Sequence, residues 1–246
     1  MSISTLAFVI AVSFVATLVR STFGFGESLV AVPLLAIAIP IEIAVPLSVL
    51  VSIVVALIVV VQDRASIHIH SAKWLIAFAL LGIPLGLFVL VYANAYWVKL
   101  ALGALIIAYG AYSLAVKRTA HLDHDSRPWL FACGFLSGVL GGAYGINGPP
   151  LVVYGNLRRW SAQQFRATLQ AYFLAASVIG VVGYATQGLL TGGVARDFAL
   201  CLPAIVPAVF LGRHFNRKLD GSGFFKYVHA GLVAIGITLV AATISR

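Results

Sequence analysis

Charge is what this sequence has least of. Charged side chains make up 9% of its 246 residues, and only 7 of them are acidic. A soluble domain carries roughly 25%, so a water-facing surface cannot be assembled from this chain. Hydrophobic residues reach 61%, which makes it an integral membrane protein. The apolar runs do not alternate with polar residues over about 10 positions, which excludes a barrel and leaves helices. Cysteine is nearly absent too: Cys133 and Cys201 lie inside apolar runs, without the spacing of a metal site or a disulfide framework, and are expected as free, buried thiols. No P-loop, G-x-S-x-G or H-E-x-x-H pattern occurs, so nothing points to ATP-driven transport or to an embedded hydrolase. The start, Met1-Ser2-Ile3-Ser4, has no basic stretch, so no cleavable signal peptide is expected.

What the chain does have is a repeated order of apolar segments. They fall at about 3–20, 28–39, 41–62, 72–92 and 95–117, then at about 129–143, 149–158, 162–185, 196–213 and 224–244. The hydrophilic stretch 118–128 separates a first membrane repeat, 1–117, from a second, 129–246. In each half the second segment is short. A helix of about 10–12 residues rises about 15–18 Å, too little to cross a core of roughly 30 Å. An offset of 121 residues pairs Gly24 with Gly145, Val32 with Val153 and Phe14 with Phe135. Matched lengths and breaks of this kind are the mark of a transporter built from repeats.

The formal net charge of +9 reads as an orientation signal, not as a nucleic-acid patch. If all ten segments cross, the 16 basic residues split 13 to 3, with only Lys99, Arg196 and Arg246 on the minority side. If the short segments dip in and return, the split is 7 to 9 and carries no signal. The first arrangement predicts a cytoplasmic linker, both termini outside, and five spans per half, hence halves of inverted topology in a bacterial inner membrane. Trp74, Trp97, Trp129 and Trp160 fall near segment ends, as an interfacial belt requires.

Each short segment follows a glycine-bearing break: Phe23-Gly24-Phe25-Gly26-Glu27-Ser28 in the first half and Tyr144-Gly145-Ile146-Asn147-Gly148-Pro149-Pro150 in the second. Irregular backbone survives in hydrocarbon only where protein covers it or where it lines a wet cavity. Pro149 and Pro150 suit the first turn of a helix. Each break should therefore open a short helix whose N-terminus, rich in unpaired N–H groups, favours an anion. The alternative is a pair of glycine packing contacts.

The candidate site residues are Gly24, Phe25, Gly26, Glu27, Ser28, Tyr144, Gly145, Asn147 and Gly148 in the breaks, with Ser48, Thr168 and Gln170 on the helices that follow. A carboxylate at an intramembrane break is costly unless paired, wet or protonated. Glu27 is thus a candidate for proton coupling, or else an interfacial partner of Arg20. Arg166 is read as an anion attractor at the cytoplasmic mouth or as an orientation anchor. His68 and His70 near Asp63, and His121, Asp123, His124 and Asp125 in the linker, lack the arrangement of a metal site, and no cofactor is expected.

These two breaks resemble the glycine-rich motif that opens each half in the sulfite exporter TauE/SafE family of membrane transporters. The first copy runs from Gly24 to Leu35 and the second from Gly145 to Tyr154, followed by Arg166-Ala167-Thr168. Glu27, Ser28 and Asn147 stand where the family has glycines, and Tyr154 where a proline is usual. The resemblance implies export of a small sulfur-containing anion such as sulfite or an organosulfonate, with no catalytic residues. The expected partners are that anion and the lipid bilayer, with no nucleic acid; assembly into a homo-oligomer is compatible with this reading. A passive anion channel and a membrane-embedded structural or enzymatic subunit stand as alternatives.

Overall fold

A computed structural model describes residues 3–115, 122–218 and 222–245. Lys117, Arg118, His121 and Arg246, and the side chains of Arg217, Lys218 and Lys226, lie outside that description. The described residues form ten α-helices: α1 (Ile3–Phe23), α2 (Glu27–Ala38), α3 (Ile41–Asp63), α4 (Ile69–Tyr92), α5 (Ala95–Ala115), α6 (Arg127–Tyr144), α7 (Gly148–Leu157), α8 (Ala162–Thr186), α9 (Gly192–Lys218) and α10 (Ser222–Ile244), with one 3-10 turn, Arg64–Ser66, after α3.

Six of these, α1, α3, α4, α5, α8 and α9, are long and apolar enough to cross a membrane. The two short helices have 12 and 10 residues, with bounds within one position of those expected. Several long helices extend past the apolar run that marks them. For example, α4 begins at Ile69, and α9 at Gly192, where the Thr191 hydroxyl accepts from the Val194 N–H at 3.3 Å. Polar first turns are satisfied by such local bonds and need no burial.

The apolar surface is turned outward. On α4, Leu81, Leu85, Phe88 and Tyr92 are exposed along one stripe, while Ala79, Gly82, Ile83 and Gly86 are buried on the other. A protein in water does not present such a stripe on helix after helix; in lipid it is the solvated face.

The inner face of α4 lies against α6, the tightest helix pairing among the described residues. Gly134, Gly138 and Gly142 on α6 recur every four residues and meet Leu75, Ala79 and Ile83 of α4. A Cβ at Gly82 or Gly86 would overlap the carbonyl oxygens of Phe135 and Val139. Small residues at four-residue spacing let two backbones touch, which explains why α6 is glycine-rich and less apolar than its neighbours. Helices α1 and α9, α5 and α10, and α3 and α8 form the other main pairs.

One end of the bundle can be identified from its polar contacts. The Arg166 Nε lies 3.3 Å from an Asp63 carboxylate oxygen, the Arg158 Nε 3.0 Å from Asp125, and the Leu122 N–H donates to the Leu157 carbonyl at 2.9 Å. The end of α3, the approach to α6, the end of α7 and the start of α8 thus share this linker end. Arg64, next to Asp63, and Arg158 therefore lie at one end of the bundle, whereas the 7 to 9 split puts them on opposite sides. Because α3 ends here, its start and the end of α2 lie at the far end. Helix α2 therefore runs away from the linker end and α7 runs toward it.

Candidate functional site

The first break forms because α1 stops at Phe23, with the Gly24 N–H still donating to the Arg20 carbonyl at 2.6 Å. Gly24 and Gly26 then take φ of +84° and +98°, which a residue with a Cβ resists. They reverse the chain into α2. The second break is built similarly: Gly145 (φ +66°) ends α6, and the N–H groups of Gly145 and Ile146 donate back to Gly141 and Leu140. The Ser137 hydroxyl donates to the Asn147 carbonyl at 2.6 Å. Ser137 lies about 15 Å along α6 from Arg127 at 1.5 Å per residue, so α7 starts alongside the middle of α6.

The two breaks meet. Gly26, Glu27 and Ser28 face Gly145, Asn147 and Gly148 across a cavity of about 20 Å³. That is room for about one water. Arg20, Leu29, Ser52, Ile146 and Phe173 complete its wall. Ser52 is the central residue of α3, and Phe173 is one short of the centre of α8. The cavity therefore lies at mid-length of the two long helices that cross there.

Arg20 dominates the electrostatics. It is 2% exposed, as is Glu27. Its Nη1 donates to Glu27 Oε2 and to the Ser52 hydroxyl, each at 2.5 Å. Its Nε and Nη2 both donate to Gln170 Oε1, at 3.2 and 2.7 Å, and the guanidinium lies 4.9 Å over the Phe173 ring. The Gln170 amide in turn donates to the Gly24 carbonyl at 2.7 Å. One side chain thereby joins α1, α2, α3 and α8. Two buried oxygens at the cavity have no hydrogen-bond partner: Glu27 Oε1 and Asn147 Oδ1.

A sequence profile described as "Sulfite exporter TauE/SafE" matches residues 9–239. The chain belongs to this family. Among curated proteins it is 29% identical over 167 residues to a "Probable sulfite/organosulfonate exporter TauE" of Cupriavidus necator, a match covering 67% of the chain and 65% of that relative. The chain thus matches somewhat less than two thirds of the relative's length. No solved structure matches it. Membership of a family of membrane transporters agrees with the multi-pass, outward-apolar bundle.

The TauE/SafE breaks of this chain place half of the anticipated site residues at the cavity and half elsewhere. Gly26, Glu27, Ser28, Gly145, Asn147 and Gly148 line it. Gly24 lies against Arg166: a Cβ there would be 3.3 Å from Arg166 Cγ. Phe25 stacks edge-on to Phe165 with centroids 6.2 Å apart. Ser48 donates to Ser28 at 3.2 Å, behind the wall. Gln170 acts on the cavity only through Arg20. Tyr144 is buried but not in the wall. Thr168 is turned away; its hydroxyl accepts from the His68 N–H at 2.9 Å and ties α8 to the α3–α4 connection.

The two helix ends are not equivalent either. In α2 the N–H groups of Glu27, Ser28 and Leu29 have no carbonyl within the helix to bond. In α7 the second and third positions are Pro149 and Pro150, which carry no N–H, leaving Gly148 as the first-turn donor. The prolines that favour a helix start also strip it of the groups an anion needs. Glu27 is paired with Arg20 at the meeting of two helix ends, and both side chains are buried.

Arg20, Leu29, Ser52, Ile146 and Phe173 are the wall residues absent from the anticipated set. A signal existed for two of them, because the offset of 121 that pairs Gly24 with Gly145 also pairs Ser52 with Phe173. At the linker end, Asp125 gathers a second polar cluster. It accepts from the Ser71 hydroxyl at 2.9 Å, the Tyr154 hydroxyl at 2.7 Å and the Arg158 Nε at 3.0 Å. Trp160 stacks on His68 at 5.8 Å and meets Tyr154 edge-on at 5.6 Å.

Proposed function

We propose that this protein is a secondary transporter that exports a small sulfur-containing anion, sulfite or an organosulfonate, through the cavity between the two breaks. The observation that carries this reading is the cavity itself. It lies at mid-length of α3 and α8, between two helix starts, with a buried arginine in its wall. The printed name of the Cupriavidus necator relative supplies the substrate class.

Alternating access needs two halves that can exchange roles. We read residues 1–117 and 129–246 as inverted repeats joined by a cytoplasmic linker, with both termini outside. The pairings support this. If α1 to α5 correspond to α6 to α10, the α4–α6 pair maps onto α9–α1, while α3–α8 and α5–α10 each map onto themselves. The opposite courses of α2 and α7 from one cavity agree with inversion. A cavity that holds about one water and is lined by side chains from both halves fits a gated carrier better than an open anion channel. Glu27 is the group we assign to proton coupling, since protonation removes a negative charge that opposes an anion at the same place.

Reconstitution tests the reading. Proteoliposomes loaded with sulfite should release it faster than protein-free vesicles, and an imposed pH gradient should change the rate. Sulfite release no faster than from protein-free vesicles, with or without the gradient, would remove the assignment. In a thermal-shift screen, a ligand at 100 times its Kd should stabilise the protein by about 2.7 kcal/mol. A carboxylate that does so where sulfur anions do not would keep the transporter and change its substrate.

A further inference from the structure

We propose that Arg20 is the anion-binding side chain of this cavity and that Glu27 is its built-in competitor. The inference rests on reading the cavity as the transport site and names the chemistry of that site. It concerns the pair that flanks the first break.

The guanidinium is held like a tool in a vice. Gln170 Oε1 takes Nε and Nη2 along one edge, and the Phe173 ring covers a face. What remains is Nη1, the group aimed at the start of α2, where it meets Glu27 Oε2 and the Ser52 hydroxyl. The Glu27 contact is one-sided. A carboxylate and an arginine at their best form two parallel bonds; here Oε2 makes one and Oε1, though buried, makes none. The pairing therefore falls short of what the two groups can make.

A small oxyanion in the place of that carboxylate would do better. It would accept from Nη1 and from Ser52 with one oxygen. Its others would face the N–H groups of Ser28 and Leu29, which have no acceptor within α2. Asn147 lines the opposite wall, with its side-chain amide packed against Gly141. Only the Glu27 side chain has to move, and the room it leaves adds to a cavity that otherwise takes about one water. Substrate affinity is then a contest for one guanidinium. Arginine also suits the ligand class, because its planar fork matches oxyanions geometrically where a lysine offers a point charge.

Removing only Arg20 would strand a buried carboxylate and risk unfolding, so the test uses the pair. Binding of sulfite and of methanesulfonate to the detergent-purified full chain would be measured by titration calorimetry for the wild type, E27Q, R20K/E27Q and R20Q/E27Q. Glutamine keeps the shape of Glu27 and deletes its charge, so E27Q should bind at least 10-fold more tightly than the wild type. R20Q/E27Q should bind at least 100-fold more weakly than E27Q while melting within a few degrees of it. R20K/E27Q, with charge but no fork, should fall between. E27Q binding no better than the wild type overturns the competitor role. R20Q/E27Q or R20K/E27Q binding as tightly as E27Q overturns the role of Arg20. In either case anion binding by the wild type still upholds the transport reading, whereas no binding by any of the four proteins sinks both.

Discussion

The Tyr154 hydroxyl donates to Asp125 Oδ1 across 2.7 Å, and this bond fastens α7 to the segment that leads into α6. With Arg158 and Ser71 on the same carboxylate, Asp125 joins three parts of the chain at the linker end. These neighbours shift the acidity of its carboxyl. Burial pushes it up, but the hydrogen bonds from Tyr154 and Ser71 and the charges of Arg158 and His68 outweigh that and hold it below the ordinary value.

A depressed carboxyl has a definite sign of linkage. It contributes stability that is complete above the unfolded value of about 3.9 and is lost as pH falls through the lower folded value. The melting temperature of the detergent-purified wild type should therefore exceed that of Asp125→Asn at pH 7, and the gap should close below about pH 4. A gap that is constant from pH 7 to 3 would show that the charge of Asp125 is not what the cluster uses.

The α4–α6 contact predicts a second effect. Gly86→Ala drives a methyl into the Val139 carbonyl and to 2.7 Å from the Ala143 nitrogen. Overpacking of this kind costs about 1–3 kcal/mol, so the melting temperature should drop. Gly192→Ala, where nothing lies within 4 Å, is the control and should leave it unchanged.

Ser137→Ala removes the bond that fixes the Asn147 carbonyl, at a cost of about 1 kcal/mol, since a neutral hydrogen bond contributes about 0.5–1.5 kcal/mol net. The loss should be felt more in ligand affinity than in melting temperature, because the freed carbonyl lies beside the cavity. Equal anion affinity in Ser137→Ala and wild type would mean that the second break is set by Gly145 alone.

Orientation is open to labelling. Cys133 and Cys201 are buried, at 5% and 0% exposure, so background reaction should be slow. In the inner membrane of intact cells, Gln187→Cys should react with a membrane-impermeant maleimide from outside, and His124→Cys only after the membrane is opened. The reverse pattern would invert the molecule and put both termini in the cytoplasm.

Much of this was legible in the sequence, and the failures have a common cause. The short helices and their breaks could be read because glycine and proline mark backbone conformation locally. Facing direction on the following helices was partly readable as well: Ser48 and Ser52 share a face of α3, and both are buried. Depth was not. Ser48 is one turn short of the cavity, because the level at which α3 passes the break depends on how far α2 rises and how tightly Gly24 and Gly26 fold the chain back. Thr168 failed for a different reason. The α3–α4 connection claims its hydroxyl, a contact between residues 100 apart that no local pattern encodes. Arg20 could be read as the partner of Glu27 but not as part of the wall, since charge near the end of an apolar run usually marks an interface, and here the chain turns back into the bilayer.

Pro149 and Pro150 have an effect that reaches beyond the start of α7. At the start of α2 three N–H groups without a carbonyl partner in the helix lie on the same flank as the Arg20 guanidinium, whereas the start of α7 offers the Gly148 N–H, with the Phe173 ring on that flank. The two flanks of the cavity are thereby given unlike chemistry, and a negatively charged group there meets more donors from the first break than from the second.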